Sequence, residues 1–162
     1  MSITFSTLAI RIGALLKQYK QTVCVAESSS GGLISANLLS VAGASAFYQG
    51  GSIVYTLASR RAFLDLDRDR LKGLKPLSEE MAIEFARSAR SGLDSTWAIA
   101  ELGAAGPAGS RYGHDAGTCV IGIVGPTVIS TTITTGTDDR AQNMVAFAEG
   151  ALMLFEIALS DH

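Results

Sequence analysis

"TVCVAESSSGGLISANLL", Thr22–Leu39, decides how this chain folds. Thr22–Ala26 is a β-branched run with no alternation of apolar and polar residues, the mark of a strand buried on both faces. After three serines and Gly31–Gly32 the apolar residues return at helical spacing, predicting a helix that stops near Gly43. Strand, small polar residues, two glycines and helix together aim backbone N–H groups and a positive helix end at one spot, where an anion or a developing oxyanion binds well. The stretch is no Walker loop, because no Lys-Ser/Thr follows the glycines, and no nucleophile elbow, because glycines do not flank a single serine on both sides. Taken alone, its simplest reading is Ser29 or Ser30 capping the helix over a tight glycine turn.

Outward from this stretch, Phe5, Leu8, Ile12, Leu15, Leu16 and Tyr19 line one face of a first helix, with Lys17 and Lys20 near its C-terminal end. "GGSIVYT" from Gly50 reads as a strand reached through a glycine turn, and "LASRRAFLDL" as a short helix. A longer helix follows Pro76, with Ser78 as N-cap, two glutamates in its first turn, and Met81, Phe85, Ala89 and Leu93 on one side. "STWAIAELG" is a strand, and "TCVIGIVG" and "TVISTTITT" form an antiparallel hairpin. The last helix starts near Asp138 and carries Met144, Ala148, Ala151, Leu152, Phe155 and Leu159 as a continuous apolar stripe. The expected fold class is α/β: a three-layer α/β/α sandwich with a mixed sheet covered by helices on both faces. A single domain, 1–162, accounts for all 162 residues.

Composition narrows the function. A hydrophobic content of 48% and a net charge of -2 describe a globule that folds without disulfide or metal and lacks the basic field needed for nucleic acid. Cys24 and Cys119 sit inside apolar runs and read as core thiols. With His114 and His162 as the only histidines, no spacing suits a metal, so no cofactor is expected. No leader pattern and no run of about 20 apolar residues are evident, which gives the expectation of a cytoplasmic protein without membrane contact.

Two more loops join the serines. "ELGAAGPAG", Glu101–Gly109, leaves a strand through three glycines and a proline, and strand-end loops of an open α/β sheet gather around one crevice. "TGTDDRAQN" opens the last helix with Asp138, Asp139 and Arg140. Ala26–Gly32, "AGASAFYQGGSIVYTLASR" from Ala42 to Arg60, Gly103–Gly109 and Gly117–Val120 together resemble the C-terminal domain family of the competence/damage-inducible protein CinA. The likeness covers almost the whole chain and implies the doubly covered mixed sheet.

Free-standing members of that family are nicotinamide-mononucleotide deamidases, so the resemblance implies hydrolysis of this nucleotide to nicotinic acid mononucleotide and ammonia. It assigns Ser28 as nucleophile, Tyr55 as a neighbouring hydrogen-bond partner, and backbone groups near Ser29, Ser30, Gly31 and Gly32 to the oxyanion. Gly103, Ala105, Gly106, Gly109 and Arg140 fall to the nucleotide, and no metal is required. Three departures stand out. The family's base is a lysine where this chain has Arg60, and an arginine keeps its proton at neutral pH. The family's "GDR" is "DDR", and the arginine four residues later is Met144. His114 is the one candidate for a replacement base, with a solvent-facing loop histidine as its plainer reading. The expected function is therefore a family amidohydrolase site altered at its base. The alternatives are a non-catalytic site for a pyridine nucleotide or another anion, with Arg60 as clamp, and an interaction protein that forms a homo-oligomer.

Overall fold

The structure, a computed structural model, describes residues 4–161, so residues 1–3 and His162 lie outside it. In chain order its elements are α1 (Thr7–Tyr19), β1 (Val23–Glu27), α2 (Leu33–Leu39), a single 3-10 turn (Ala44–Ala46), β2 (Tyr48–Ile53), α3 (Leu57–Phe63), α4 (Arg68–Leu71), α5 (Glu79–Leu93), β3 (Trp97–Ala104), β4 (Thr118–Val124), β5 (Val128–Thr134) and α6 (Arg140–Ser160). The order is that expected from the sequence, with the 3-10 turn and α4 added; both are too short to show a period.

The five strands form one mixed sheet in the order β2-β1-β3-β4-β5. β1 runs parallel to β2 and β3, whereas β3, β4 and β5 pair antiparallel. Strand alternation sends Val23, Val25, Trp97, Ile99, Cys119 and Ile121 to a face covered by α1, α2 and α6. Cys24, Ala26, Ala98, Ala100, Leu102 and Val120 go to the opposite face, under α5. The two faces differ in bulk. Large side chains, with Trp97 edge-on to Phe155, fill the first. Small ones let α5 sit close to the second, where a Cβ on Gly122 would lie 2.7 Å from the backbone of Ala82 and Ile83. A buried sheet with helices on both sides is the expected sandwich.

Local differences have local causes. α2 ends at Leu39, short of Gly43, where the Ser40 hydroxyl donates to Asn37 O at 2.6 Å. β2 starts at Tyr48 rather than Gly50, so its glycines lie inside the strand and not in a turn. A Cβ on Gly51 would meet the Tyr48 hydroxyl at 2.7 Å and Ser35 Oγ at 2.8 Å. Phe5 precedes the N-cap Ser6 and is exposed, leaving Leu8, Ile12 and Leu16 as the buried stripe of α1. The expectation of no membrane-length apolar segment needs correcting: α6, at 21 residues, is long and apolar enough to cross a bilayer. Its apolarity has another use, because Phe147, Ala151, Leu152, Phe155 and Leu159 are buried between the sheet, α1 and α2. Both cysteines are fully buried as expected, and burial pushes both thiols up from their ordinary range.

Strand order and pairing fix where a site forms. β1 lies between two parallel neighbours, with α2 leaving over one face and α5 packed on the other. In open α/β sheets a crevice opens at the carboxyl ends of such strands. Here Glu27 ends β1 and pairs directly with Glu101, three residues before the end of β3.

Candidate active site

Glu27 and Glu101 follow the alternation of Val25 and Ile99, which places two carboxyls side by side on an apolar face, both fully buried. Like charges so placed repel and lose their hydration, so the fold must supply donors. The serine turn supplies them. Glu27 Oε1 accepts from the Gly32 and Ile34 amides at 2.9 and 3.1 Å, and its Oε2 from the Ser35 amide at 3.0 Å. Glu101 Oε2 accepts from the Ser28 and Ser30 amides at 3.1 and 2.9 Å, and its Oε1 from the Ser29 hydroxyl. The Ser30 hydroxyl sits between the two, 2.7 Å from Glu27 Oε1 and 2.8 Å from Glu101 Oε2. Burial pushes the Glu101 carboxyl above its usual range, and the hydrogen bonds from Ser29, Ser30 and Ser28 only oppose that shift.

This network revises the expected role of the turn. Neither Ser29 nor Ser30 caps α2; the N-cap is Gly32, which has φ +100° and offers no side chain, and the Glu27 carboxylate takes the capping bonds from within the sheet. The amides of Gly31 and Leu33 are spent on Ser28 O and Ser30 O. Gly31 and Gly32 therefore hold no open N–H for an oxyanion. Across residues 28–35, among the described residues, the Ser29 amide alone has no acceptor.

A cleft of about 600 Å³ opens beside the turn. It brings together Ser28, Ser29, Tyr55, Arg60, Gly103, Ala105, Gly106, Gly109 and Arg140, and leaves out Ser30, Gly31 and Gly32. Ser28 is nearly buried, lines the cleft, and among the described residues its hydroxyl has no hydrogen-bond partner. Gly103 is required by close approach, since a Cβ there would lie 2.6 Å from Ser29 Oγ and 2.9 Å from the Phe147 ring. Arg140, the first residue of α6 after the N-cap Asp139, ties the outer wall together by donating to Gly106 O at 2.6 Å and to the Tyr55 hydroxyl at 3.1 Å. Met144 turns away from anion chemistry and packs against Gly31.

Arg60 stands in the wall between this cleft and a second one of about 730 Å³. Its Nε donates to Val54 O at 3.2 Å and its guanidinium lies 5.1 Å from the centre of the Phe85 ring. Burial pulls its pKa below the ordinary arginine value, and among the described residues no carboxylate pairs with it. His114 does not line the Ser28 cleft; its Nδ1 is 3.1 Å from Ser110 Oγ within its own loop. No described lysine or histidine lines the cleft at all.

Sequence reasoning missed Glu27 and Glu101. The signal was present as one carboxyl in each otherwise apolar strand, Glu27 at the end of β1 and Glu101 inside β3, where an ionisable residue needs a partner.

A mixed sheet covered on both faces, with a serine turn and a glycine loop bordering one cleft near the carboxyl ends of parallel strands, defines a switch-point α/β fold. The family model of the CinA C-terminal domain matches residues 5–159, and the chain belongs to that family. A CinA-like protein of Chlorobium limicola is 38% identical over 154 residues, which is 91% of this chain and 35% of that protein. The chain thus spans about a third of the length of such curated relatives. Among solved structures, the competence/damage-inducible protein CihA of Agrobacterium tumefaciens is 28% identical with a TM-score of 0.87 over 99% of both chains. A CinA-superfamily protein of Klebsiella pneumoniae, 24% identical, has the same fold at a TM-score of 0.88 over 96% of this chain and 97% of its own.

Proposed function

We propose that the cleft binds a pyridine mononucleotide or a related anionic amide and that Ser28 attacks the carboxamide, with turnover held back by the want of a base. One observation carries this reading. The Ser28 hydroxyl and the Ser29 amide are the two groups of the turn left unspent, on adjacent residues that line the cleft. A nucleophile followed by its own oxyanion donor is the arrangement acyl transfer needs. Ser28 Oγ adds to the carbonyl carbon, the oxyanion meets the Ser29 amide, and the C–N bond breaks as the serine proton reaches the leaving nitrogen. Water then hydrolyses the ester and frees the acid. Arg140, Arg111 and Arg60 supply positive charge on the outer wall for the nucleotide phosphate.

The weak point is the first proton transfer. Arg60 keeps its proton near neutrality, and general-base help is worth about 10²–10⁴ in rate. Ammonia release from nicotinamide mononucleotide should therefore be slow in wild type, absent in Ser28→Ala and faster in Arg60→Lys. A wild type that binds the nucleotide but releases no ammonia at any pH would reject turnover. It would favour the second reading, a non-catalytic anion site, which the Arg60 guanidinium at the cleft supports, since among the described residues no carboxylate pairs with it. Calorimetry with no heat of binding would remove both.

A further inference from the structure

The contacts of Ser30 pose a counting problem. Its hydroxyl owns one proton, yet it lies at hydrogen-bond distance from Glu27 Oε1 and from Glu101 Oε2. For the two contacts to be separate two-centre hydrogen bonds rather than one shared proton, one carboxyl must bring a proton of its own. Glu27 does not fit that role. Its other contacts are amide donors, two on Oε1 and one on Oε2, and an O–H on either oxygen would compete with them. Glu101 meets fewer amides: its Oε2 takes those of Ser28 and Ser30, of which the first is shared with Glu101 O at 3.1 Å, and its Oε1 meets only the Ser29 hydroxyl, which can accept as well as donate. It also faces Glu27 across paired strands, where two negative charges would repel.

We infer that Glu101 is a positioning residue that carries a proton in the folded protein: Glu101 Oε2–H donates to Ser30 Oγ, and Ser30 Oγ–H donates to Glu27 Oε1. The turn bearing Ser28 is assembled on this chain, because the same Glu101 carboxyl holds the Ser28 amide, the Ser30 amide and the Ser29 hydroxyl. The titratable groups facing the pair are Tyr48 from β2 and Cys119 from β4, and burial pushes both up. α2 contributes the Ser35 amide, and α6 contributes Met144 and Phe147 beside Gly31 and Gly103, none of them ionisable.

The folded protein therefore holds the Glu101 proton more tightly than the unfolded chain does. Its contribution to stability is complete below the ordinary carboxylate range and is lost as pH rises through the raised folded value.

The consequence rests on Ser28 being the nucleophile, but the proton does not, so the test begins without catalysis. Infrared spectra of wild type near pH 7 should show the carbonyl stretch of a protonated carboxyl, and Glu101→Gln should abolish it. Thermal melts between about pH 5 and pH 9 should show Tm falling with pH more steeply in wild type than in Glu101→Gln. In Glu101→Gln the cost is small, because the carbonyl can keep the Ser28 and Ser30 amides at the Oε2 place while the NH₂ donates to the Ser29 hydroxyl at the Oε1 place. In Glu27→Gln an NH₂ group would face amide donors, so that variant should melt well below Glu101→Gln. Where deamidation is measurable, the alkaline limb of its pH profile should shift in Glu101→Gln. Wild type without a protonated-carboxyl band, or a Glu27→Gln protein as stable as wild type beside an unfolded Glu101→Gln, overturns the assignment. A wild type that shows the band and pH-dependent melting but never releases ammonia would sink the deamidase reading and leave the proton in place.

Discussion

The two walls of the cleft are built on opposite principles. The inner wall, Ser28 and Ser29, rests on a buried acidic network of Glu27, Ser30 and Glu101, and all but one of the amides of residues 28–35 are consumed internally. The outer wall, with Tyr55, Arg60, Arg111 and Arg140, is partly exposed and basic, and its guanidinium groups touch backbone oxygens, a hydroxyl and aromatic rings rather than carboxylates. A helix N-terminus is ordinarily an anion site, but α2 has its own buried anion in Glu27. Positive charge therefore lies on the outer wall, and among the described residues the inner wall offers one free hydroxyl and one free amide.

Breaking the inner wall should cost most. Glu27→Ala removes the acceptor of three backbone amides and should lose at least about 3 kcal/mol in urea unfolding. A loss under about 1 kcal/mol would mean that water replaces the carboxylate there. Gly103→Ala comes next, at about 3 kcal/mol, because the new methyl meets Ser29 Oγ, the Cys119 Cβ and the Phe147 ring, which are all held in place. Ser30→Ala should cost about 2 kcal/mol by leaving two buried carboxyls without their bridge.

The outer wall should respond in the opposite sense. Arg140→Ala is expected to change stability by about 1 kcal/mol or less while weakening nucleotide binding roughly tenfold, read by calorimetry. The smallest effect on stability belongs to Ser28→Ala, within about 0.5 kcal/mol of wild type, because its hydroxyl bonds to no described residue. If Ser28→Ala unfolds as readily as Ser30→Ala, the distinction between a structural and a reactive serine fails.

Much of this was legible from one sequence. The buried strand Val23–Ala26, the Ser78 cap of α5, the β4–β5 hairpin and the stripe of α6 each follow from local periodicity and capping chemistry. Family motifs named Ser28, Tyr55, Arg60, Gly103, Gly106 and Arg140, and the fold gathers these on one cleft. The division of labour among the three serines was not legible. Ser29 and Ser30 differ from Ser28 only in what lies opposite them, and what lies opposite is Glu101, 72 and 71 residues away along the chain.

The amino-acid order by itself determined which segments are strands and helices and which are loops, because hydrophobic period and turn chemistry act over a few residues. Tertiary structure alone decided that Glu27 and Glu101 share a register, that α2 is capped from within the sheet, and that Arg60 rests on Phe85. Those outcomes depend on strand pairing and burial, which join residues far apart in the chain and set the electrostatic cost of leaving any one of them unpaired.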